Sequence, residues 1–286
     1  AGPSNEYAVY RGAVEGTVFK GPDGNMKKPP SNLFPTLWPF VQSLVFMALF
    51  LVIGGAYPLL DPADPQHNDP IIITEDFMKQ NWPYRVLYCW IGLLAVRMKY
   101  YFGWKNAEGA CNVWYSGFEG FDESGKEIGW SNSDNVDVLG FELPPDVQTM
   151  TKKWNKKTSD WLSRYVYIRT GGNLVAVYST SAFWHGFYPG YYLFFLSVPL
   201  ITFCDRLAKK KLSPLFSASQ VSLYGALGTF ATVISVNYMV LSFVLLAGDW
   251  GWRAWKSHYF FGHIGGIIMY AALSVMPSPK KKEKST

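Results

Sequence analysis

Only three cysteines and four histidines occur in the 286 residues. Cys89, Cys111 and Cys204 lie far apart with no CxxC spacing, so neither a zinc site nor a disulfide framework is indicated. No GxxxxGK, GxSxG, HExxH or GxGxxG pattern occurs, which removes the usual nucleotide, serine-hydrolase, zinc-protease and dinucleotide readings. Charge is missing over long stretches: residues 33–60 and 172–204 contain no Asp, Glu, Lys or Arg. A soluble loop of that length without charge is excluded, and lipid-facing or deeply buried chain is expected. The chain opens on Ala1 with neither Met nor a signal-peptide pattern, so it is expected to be the C-terminal portion of a longer polypeptide.

What is present fits that expectation. The chain is 49% hydrophobic and 17% aromatic, with mean hydropathy near zero, so long apolar spans alternate with wet segments as in a polytopic membrane protein. The net charge of +5 comes with lysines grouped at Lys27-Lys28, Lys152 to Lys157, Lys209 to Lys211 and Lys280 to Lys284. Basic clusters beside apolar runs read as cytoplasmic anchors rather than as a nucleic-acid surface.

In chain order, Pro and Gly make residues 1–32 an interfacial loop. Residues 33–60 exceed the roughly 20 residues a helix needs to cross a bilayer. An acidic, proline-rich loop follows, with His67 as a solvated residue, and then a span at 82–104 with aromatic ends. Arg85, Arg97 and Lys99 in that span either snorkel or face an aqueous cavity. Residues 105–150 form a polar loop whose least structured part is FDESGKEIGWSNSDN. At 151–170, Trp154, Thr158, Trp161, Leu162 and Tyr165 recur at helical spacing with lysines around them, predicting one amphipathic interfacial helix. Further spans are expected at 219–247 and 257–276, joined by an aromatic turn, GDWGWRAWKS. Lys209 to Lys211 and Lys280 to Lys284 then flank this pair on one side, which the positive-inside rule makes cytoplasmic. The same rule applied to the helix at 151–170 requires residues 172–204 to cross twice or re-enter.

His185 stands inside that uncharged stretch, in SAFWHGFYPGYYLFF. Thirteen residues of helix beyond Gly172 rise about 20 Å, past the middle of a hydrocarbon core about 30 Å thick. Burying an unpartnered imidazole is costly, and an ionisable group at membrane depth is a functional candidate, although a satisfied structural histidine fits the position as well. Pro189 and Gly190 are expected to break the helix just beyond it, and irregular backbone at that depth points to a cavity. His258 and His263, five residues apart, point about 140° away from each other on a helix and share no metal-binding face. Both read as structural or interfacial, and no metal site is expected.

WNKKTSDWLSRYVYIR around Asn155, followed by the stretch around His185, resembles the paired signature of the membrane-bound O-acyltransferase superfamily, in its lysophospholipid acyltransferase branch. AGPSNEY at the start and RVLYCWIGLLAVRMKYYFGWKNAEGA with WYSGFEG are similar to other parts of that branch, so the likeness runs through almost the whole chain. The resemblance implies an all-α polytopic membrane protein, the C-terminal part of a helical fold that encloses an intramembrane reaction chamber. It implies transfer of a fatty acyl group from acyl-CoA, a co-substrate rather than a cofactor, to the free hydroxyl of a lysophospholipid. His185 is then the general base, since imidazole titrates near physiological pH. Asn155 supplies an amide that stabilises the developing oxyanion or orients substrate. Trp154, Trp184, Tyr188, Lys152, Lys153, Lys156 and Lys157 are candidate substrate contacts, the lysines for CoA phosphates, although the same charges would serve as well to anchor the chain to anionic lipid. The tail places Lys282 and Lys284 as in a dilysine retrieval signal, which points to the endoplasmic reticulum membrane with a cytoplasmic C-terminus. Two other readings stay open: an acyltransferase of the same superfamily acting on a protein, sterol or diacylglycerol, and a transporter using a buried histidine. No internal repeat of the kind transporters often carry is visible.

Overall fold

A chain segment that cannot bond to water must satisfy its own backbone, so the apolar runs fold as helices. The computed structural model describes residues 7–61 and 69–277. His67, the Gly-Pro-Ser stretch and Lys280 to Lys284 lie outside the described residues. Within them the helices are α1 (Tyr7–Val14), α2 (Leu33–Ala56), α3 (Glu75–Met78), α4 (Trp82–Val113), α5 (Val138–Glu142) and α6 (Val147–Lys153). They continue with α7 (Lys156–Leu162), α8 (Leu174–His185), α9 (Pro189–Lys211), α10 (Val221–Leu245), α11 (Gly248–Ser257) and α12 (Phe261–Val275). Among the described residues there are no strands, and the β pairing consists of two isolated bridges, Lys20 with Met26 and Phe121 with Glu127. The architecture is all-helical, as expected. Helices α2, α9 with its extension to Leu215, and α10 are each long and apolar enough to cross a membrane; α11 and α12, bent by 71°, meet that measure together.

Several boundaries differ from the sequence reading. Residues 1–32 contain the short helix α1, and the helix expected to end at 104 runs on to Val113. GDWGWRAWKS is helix α11 rather than a turn. Asp249 complements the dipole of its first turn, and Trp255 packs inward with its indole N–H donating to Tyr238 O at 3.0 Å. FDESGKEIGWSNSDN is a hydrogen-bonded loop: Asp122 accepts from Ser124 and from the Lys126 N–H, Glu119 accepts from Ser131, and Asn132 donates to Phe118 O.

The described residues form two compact units. One comprises residues 7–56, Leu94–Val138 and Lys152–Arg164, and the other residues 57–61 and 69–93, Leu139–Thr151 and residues 165–277. In the first unit α2 exposes Phe34, Trp38, Val41, Leu44 and Val52, so it is apolar on its outer faces, as lipid contact requires. Pro39 inside α2 has no N–H for the carbonyl of Pro35. Asn112 of α4 donates to that orphaned oxygen at 2.8 Å. Close approach of the two helices there depends on Gly109, where a Cβ would lie 2.8 Å from Thr36 O.

In the second unit α8 and α9 make an antiparallel hairpin. Tyr178 and Thr202 are in hydrogen-bond contact (3.2 Å), and His185 lies against Tyr191 and Phe195 at the tip. The twelve residues of α8 rise only about 18 Å, short of the thickness of a hydrocarbon core. The break lies at Gly186–Tyr188, where Gly186 takes φ 116°. Pro189 and Gly190, expected to form that break, instead start α9: Pro189 fits the first turn, where its missing N–H costs nothing. Gly190 lets α10 come close, donating to Leu246 O at 2.7 Å.

Helix α12 runs parallel to α9. Successive ties are Ser197 with His263 (3.1 Å), Cys204 Sγ to Gly266 O (3.2 Å), and Lys211 Nζ to the last carbonyls of α12, Ser274 O and Met276 O. Val198 and Ile201 of α9, Tyr238 and Met239 of α10 and Trp255 of α11 form a buried core, with Phe261 of α12 packed against it. Tyr259 and Phe260 hold left-handed backbone angles at the bend between α11 and α12. Arg85 neither snorkels nor faces water. It is 4% exposed and donates at 2.8 Å to Ser257 O, one of the carbonyls left without a partner where α11 ends. Arg97 is likewise buried, and Lys99 lies over the Tyr100 ring.

Candidate active site

Three histidines fall within the described residues, and their surroundings separate them. His258 is buried, with Nδ1 2.9 Å from Ala254 O and 3.0 Å from Ser257 Oγ, and Nε2 facing Cys89 Sγ at 3.9 Å. His263 spans Tyr238 Oη at 2.8 Å and Ser197 Oγ at 3.1 Å. Both are satisfied structural groups that tie helices together, as the sequence reading had them. His185 differs: among the described residues neither of its nitrogens has a hydrogen-bond partner. Its ring is held by aromatic contacts alone, with centroids 5.4 Å from Tyr191, 5.2 Å from Phe195 and 5.0 Å from Phe243, and its outer side is exposed. An imidazole fixed in place by rings, with both nitrogens unspent, is available to an incoming hydroxyl.

Asn155 belongs to the other unit, and its position is not what a helix pattern gives. The single amphipathic helix expected over 151–170 is broken at Trp154 and Asn155, between α6 and α7, and a π turn at Ser163–Tyr167 follows α7. Asn155 takes φ 47°, ψ 52°, a left-handed conformation that asparagine tolerates better than most residues. The reason for the break is Asn135. Its backbone O accepts from the Lys156 N–H at 2.9 Å and its Oδ1 from the Lys157 N–H at 3.1 Å, which caps the start of α7 from outside the helix. Trp154 fills the bend, its ring 5.7, 5.9 and 4.7 Å from those of Tyr100, Tyr101 and Trp104.

That network also fixes the Asn155 amide. The Lys157 N–H can only donate, so Asn135 must turn Oδ1 toward it and Nδ2 toward Asn155. Asn155 Oδ1 then accepts from Asn135 Nδ2 at 3.1 Å. The Asn155 NH2 is left with both donors unspent among the described residues. A donor aimed by its own acceptor is what stabilisation of a developing oxyanion needs.

The lysines divide. Lys153 pairs with Asp137 at 2.8 Å and Lys156 with Asp134 at 2.7 Å, so their charge is already met. Lys152 is exposed. Lys157 is partly buried, and burial, reinforced by the Lys156 charge, pushes its amine below the ordinary lysine value. These two remain the better candidates for an anionic ligand. Trp184 and Tyr188 flank the His185 turn in sequence and are exposed, Tyr188 with its ring edge on Tyr191 at 5.9 Å. Two clefts lie elsewhere, one at α9 and α12 and one at α1 and α4. Sequence reading missed Asn135 and Asp134. The density of Asn, Asp and Ser in SNSDN was the available signal, since those side chains bond to nearby backbone in turns.

Residues 69–239, which include both Asn155 and His185, match the sequence profile of the MBOAT, membrane-bound O-acyltransferase, family. The chain is 34% identical over 99% of its length to human "Membrane-bound glycerophospholipid O-acyltransferase 2", covering 55% of that protein. It is 29% identical over 97% of its length to "Lysophospholipid acyltransferase" of Schizosaccharomyces pombe, again 55% of the relative. It is 29% identical over 99% of its length to "Lysophospholipid acyltransferase 1" of Arabidopsis thaliana, covering 62% of it. The chain thus spans a little over half the length of these curated relatives.

Proposed function

The chain belongs to the membrane-bound O-acyltransferase family, and from that membership we propose that it transfers a fatty acyl group from acyl-CoA to the free hydroxyl of a lysophospholipid. The names of its relatives support the lipid acceptor. The observation that carries the mechanism is the contrast among the three described histidines, of which His185 alone keeps both nitrogens unspent among the described residues.

In this reading His185 accepts the proton of the lysophospholipid hydroxyl as its oxygen bonds to the thioester carbonyl carbon. Negative charge gathers on the carbonyl oxygen, to which the Asn155 NH2 donates. The tetrahedral centre collapses with cleavage of the C–S bond, and the imidazolium returns its proton to the departing CoA thiolate. The thioester supplies the activation, so base and oxyanion donor are the assistance the step requires. The rise of α8, about 18 Å, supports a position for His185 at membrane depth, where a water-poor chamber would favour acyl transfer over hydrolysis. Lys152 and Lys157 are the proposed contacts for CoA phosphates, and the basic side of the bundle is the proposed cytoplasmic side of the endoplasmic reticulum membrane.

The test uses purified full-length protein assayed with acyl-CoA and a panel of acceptors: several lysophospholipids, a sterol and a diacylglycerol. His185→Ala is expected to bind acyl-CoA normally and to lose transfer by about 10²- to 10⁴-fold, the usual range for a general base. Near-normal turnover by that variant, or acylation of only the sterol or diacylglycerol, overturns the reading.

A further inference from the structure

We propose that the cleft between the C-terminal ends of α9 and α12 binds the phosphate of a bilayer phospholipid, at a site separate from the acyl-transfer centre. The cleft has a volume of about 360 Å3 and is lined by Phe203, Leu207 and Tyr270 on its apolar side and by Arg206, Lys210 and Lys211 on its basic side.

The charges of this stretch are not equivalent. Lys209 faces the other way and is neutralised by Asp146 at 2.7 Å and Asp205 at 3.0 Å. Lys211 is directed onto the last carbonyls of α12. Among the described residues Arg206 hydrogen-bonds only to a phenol, Tyr167 Oη at 3.2 Å. Lys210 has no partner among the described residues. No described carboxylate therefore meets the positive charge on the cleft side of α9, although two meet it on the opposite side.

Such an arrangement suits one occupant. The cleft lies at the C-terminal end of α9, a helix long and apolar enough to cross a membrane, where the phosphate groups of a bilayer would sit around a helix that reaches the interface. Arg206 and Lys210 can hold a phosphate through charge-assisted hydrogen bonds, while an acyl chain lies along Phe203, Leu207 and Tyr270. An interfacial cleft that is basic at its mouth and apolar below matches an anionic glycerophospholipid better than a free anion. It is about 22 Å along α9 from Tyr191, the ring beside His185, so an occupant there does not compete for the reacting atoms.

The test compares full-length wild-type protein with Lys210→Gln and with Arg206→Gln/Lys210→Gln, using Lys126→Gln in the loop as a control. Retention of phosphatidylglycerol against phosphatidylcholine is read by native mass spectrometry from nanodiscs of equal composition. The double variant should lose preference for phosphatidylglycerol by about 30-fold, near the effect of two interfacial charges, with an unchanged KM for acyl-CoA. Unchanged lipid preference overturns the proposal. So does a raised KM for acyl-CoA alongside lost lipid binding, which would assign the charges to CoA phosphates. Lys210→Gln breaks no described contact, so it gives an answer even if the double variant folds poorly.

Discussion

Asn155 carries two separable properties, a backbone that accepts left-handed angles and an amide whose acceptor and donor ends do different work. Substituting aspartate keeps the acceptor toward Asn135 and the tolerance of φ 47° but removes the donor. Asn155→Asp is therefore expected to keep its thermal stability to within about 0.5 kcal/mol and to lose turnover by about 10²- to 10³-fold, the scale of one oxyanion donor. Full activity of that variant would remove Asn155 from the reaction centre. Asn135 is a positioning residue, since it acts through Asn155. Asn135→Ala should lower both quantities, because it uncaps α7 at a cost of about 1 kcal/mol and frees the Asn155 amide to rotate. A variant that loses stability and keeps full turnover would show that Asn135 serves only the fold. His263 makes the complementary case. His263→Ala should destabilise the protein, leaving Tyr238 Oη and Ser197 Oγ without their partner. At temperatures where the protein stays folded, its turnover should hold.

Elements show why some features were legible in the sequence and others were not. The charge-free run at 33–60 predicted a long apolar helix, found as α2, because composition alone decides it. The basic clusters on the two flanks of residues 172–204 required a double crossing or a re-entry, and the stretch holds two antiparallel helices, α8 and the start of α9. The break at Trp154-Asn155 was hidden, because Trp154, Thr158 and Tyr165 keep a helical period through it while the cap that causes it comes from Asn135, 20 residues away in sequence. Helix α11 was misread because two glycines within four residues look like a turn, whereas Trp255 against Tyr238 holds it as a helix. The role of Gly190 at the α9–α10 crossing also needed the structure. A Cβ there would lie 2.6 Å from Leu246 O, with backbone on both sides unable to yield. Gly190→Ala is expected to cost about 1 to 3 kcal/mol of stability, as overpacking does. It should also reduce turnover, because α10 carries Phe243, one of the three rings that position His185. A denaturation midpoint equal to wild type would show that the crossing yields more easily than this geometry allows.

Within the second unit, packing among the described residues gathers the C-terminal ends of α9 and α12 at one end. Helices α8 and α9 run antiparallel, α10 leads away from the end of α9 where Lys211 lies, and parallel packing of α12 on α9 brings Met276 back beside Lys211; we propose that this end faces one side of the membrane. Asp146 and Lys209 fasten that side together. Burial pushes the Asp146 carboxyl up, but the hydrogen bonds from Lys209 and the Thr149 N–H outweigh it and hold the carboxyl below its ordinary value. A depressed folded-state value means the ionised form favours folding. The contribution is complete above the unfolded value of about 3.9 and is lost as pH falls through the folded one. Asp146→Asn should accordingly lower the unfolding temperature at pH 7, and the gap to wild type should close toward pH 3. Sidedness itself is tested by labelling full-length protein in sealed microsomes with a membrane-impermeant maleimide, against the background of the native cysteines. Gly171→Cys, Ser213→Cys and Met276→Cys should all react from the outer, cytosolic face. Ala247→Cys, in the turn where α10 gives way to α11, should react only after the membrane is opened. If Gly171 and Ser213 label from opposite faces, the pair α8–α9 crosses the membrane, and the depth assigned to His185 is wrong. If all three label only after opening, the hairpin stands and the positive-inside assignment is reversed, which would put the entry for acyl-CoA on the lumenal face and remove the cytosolic thioester pool as donor.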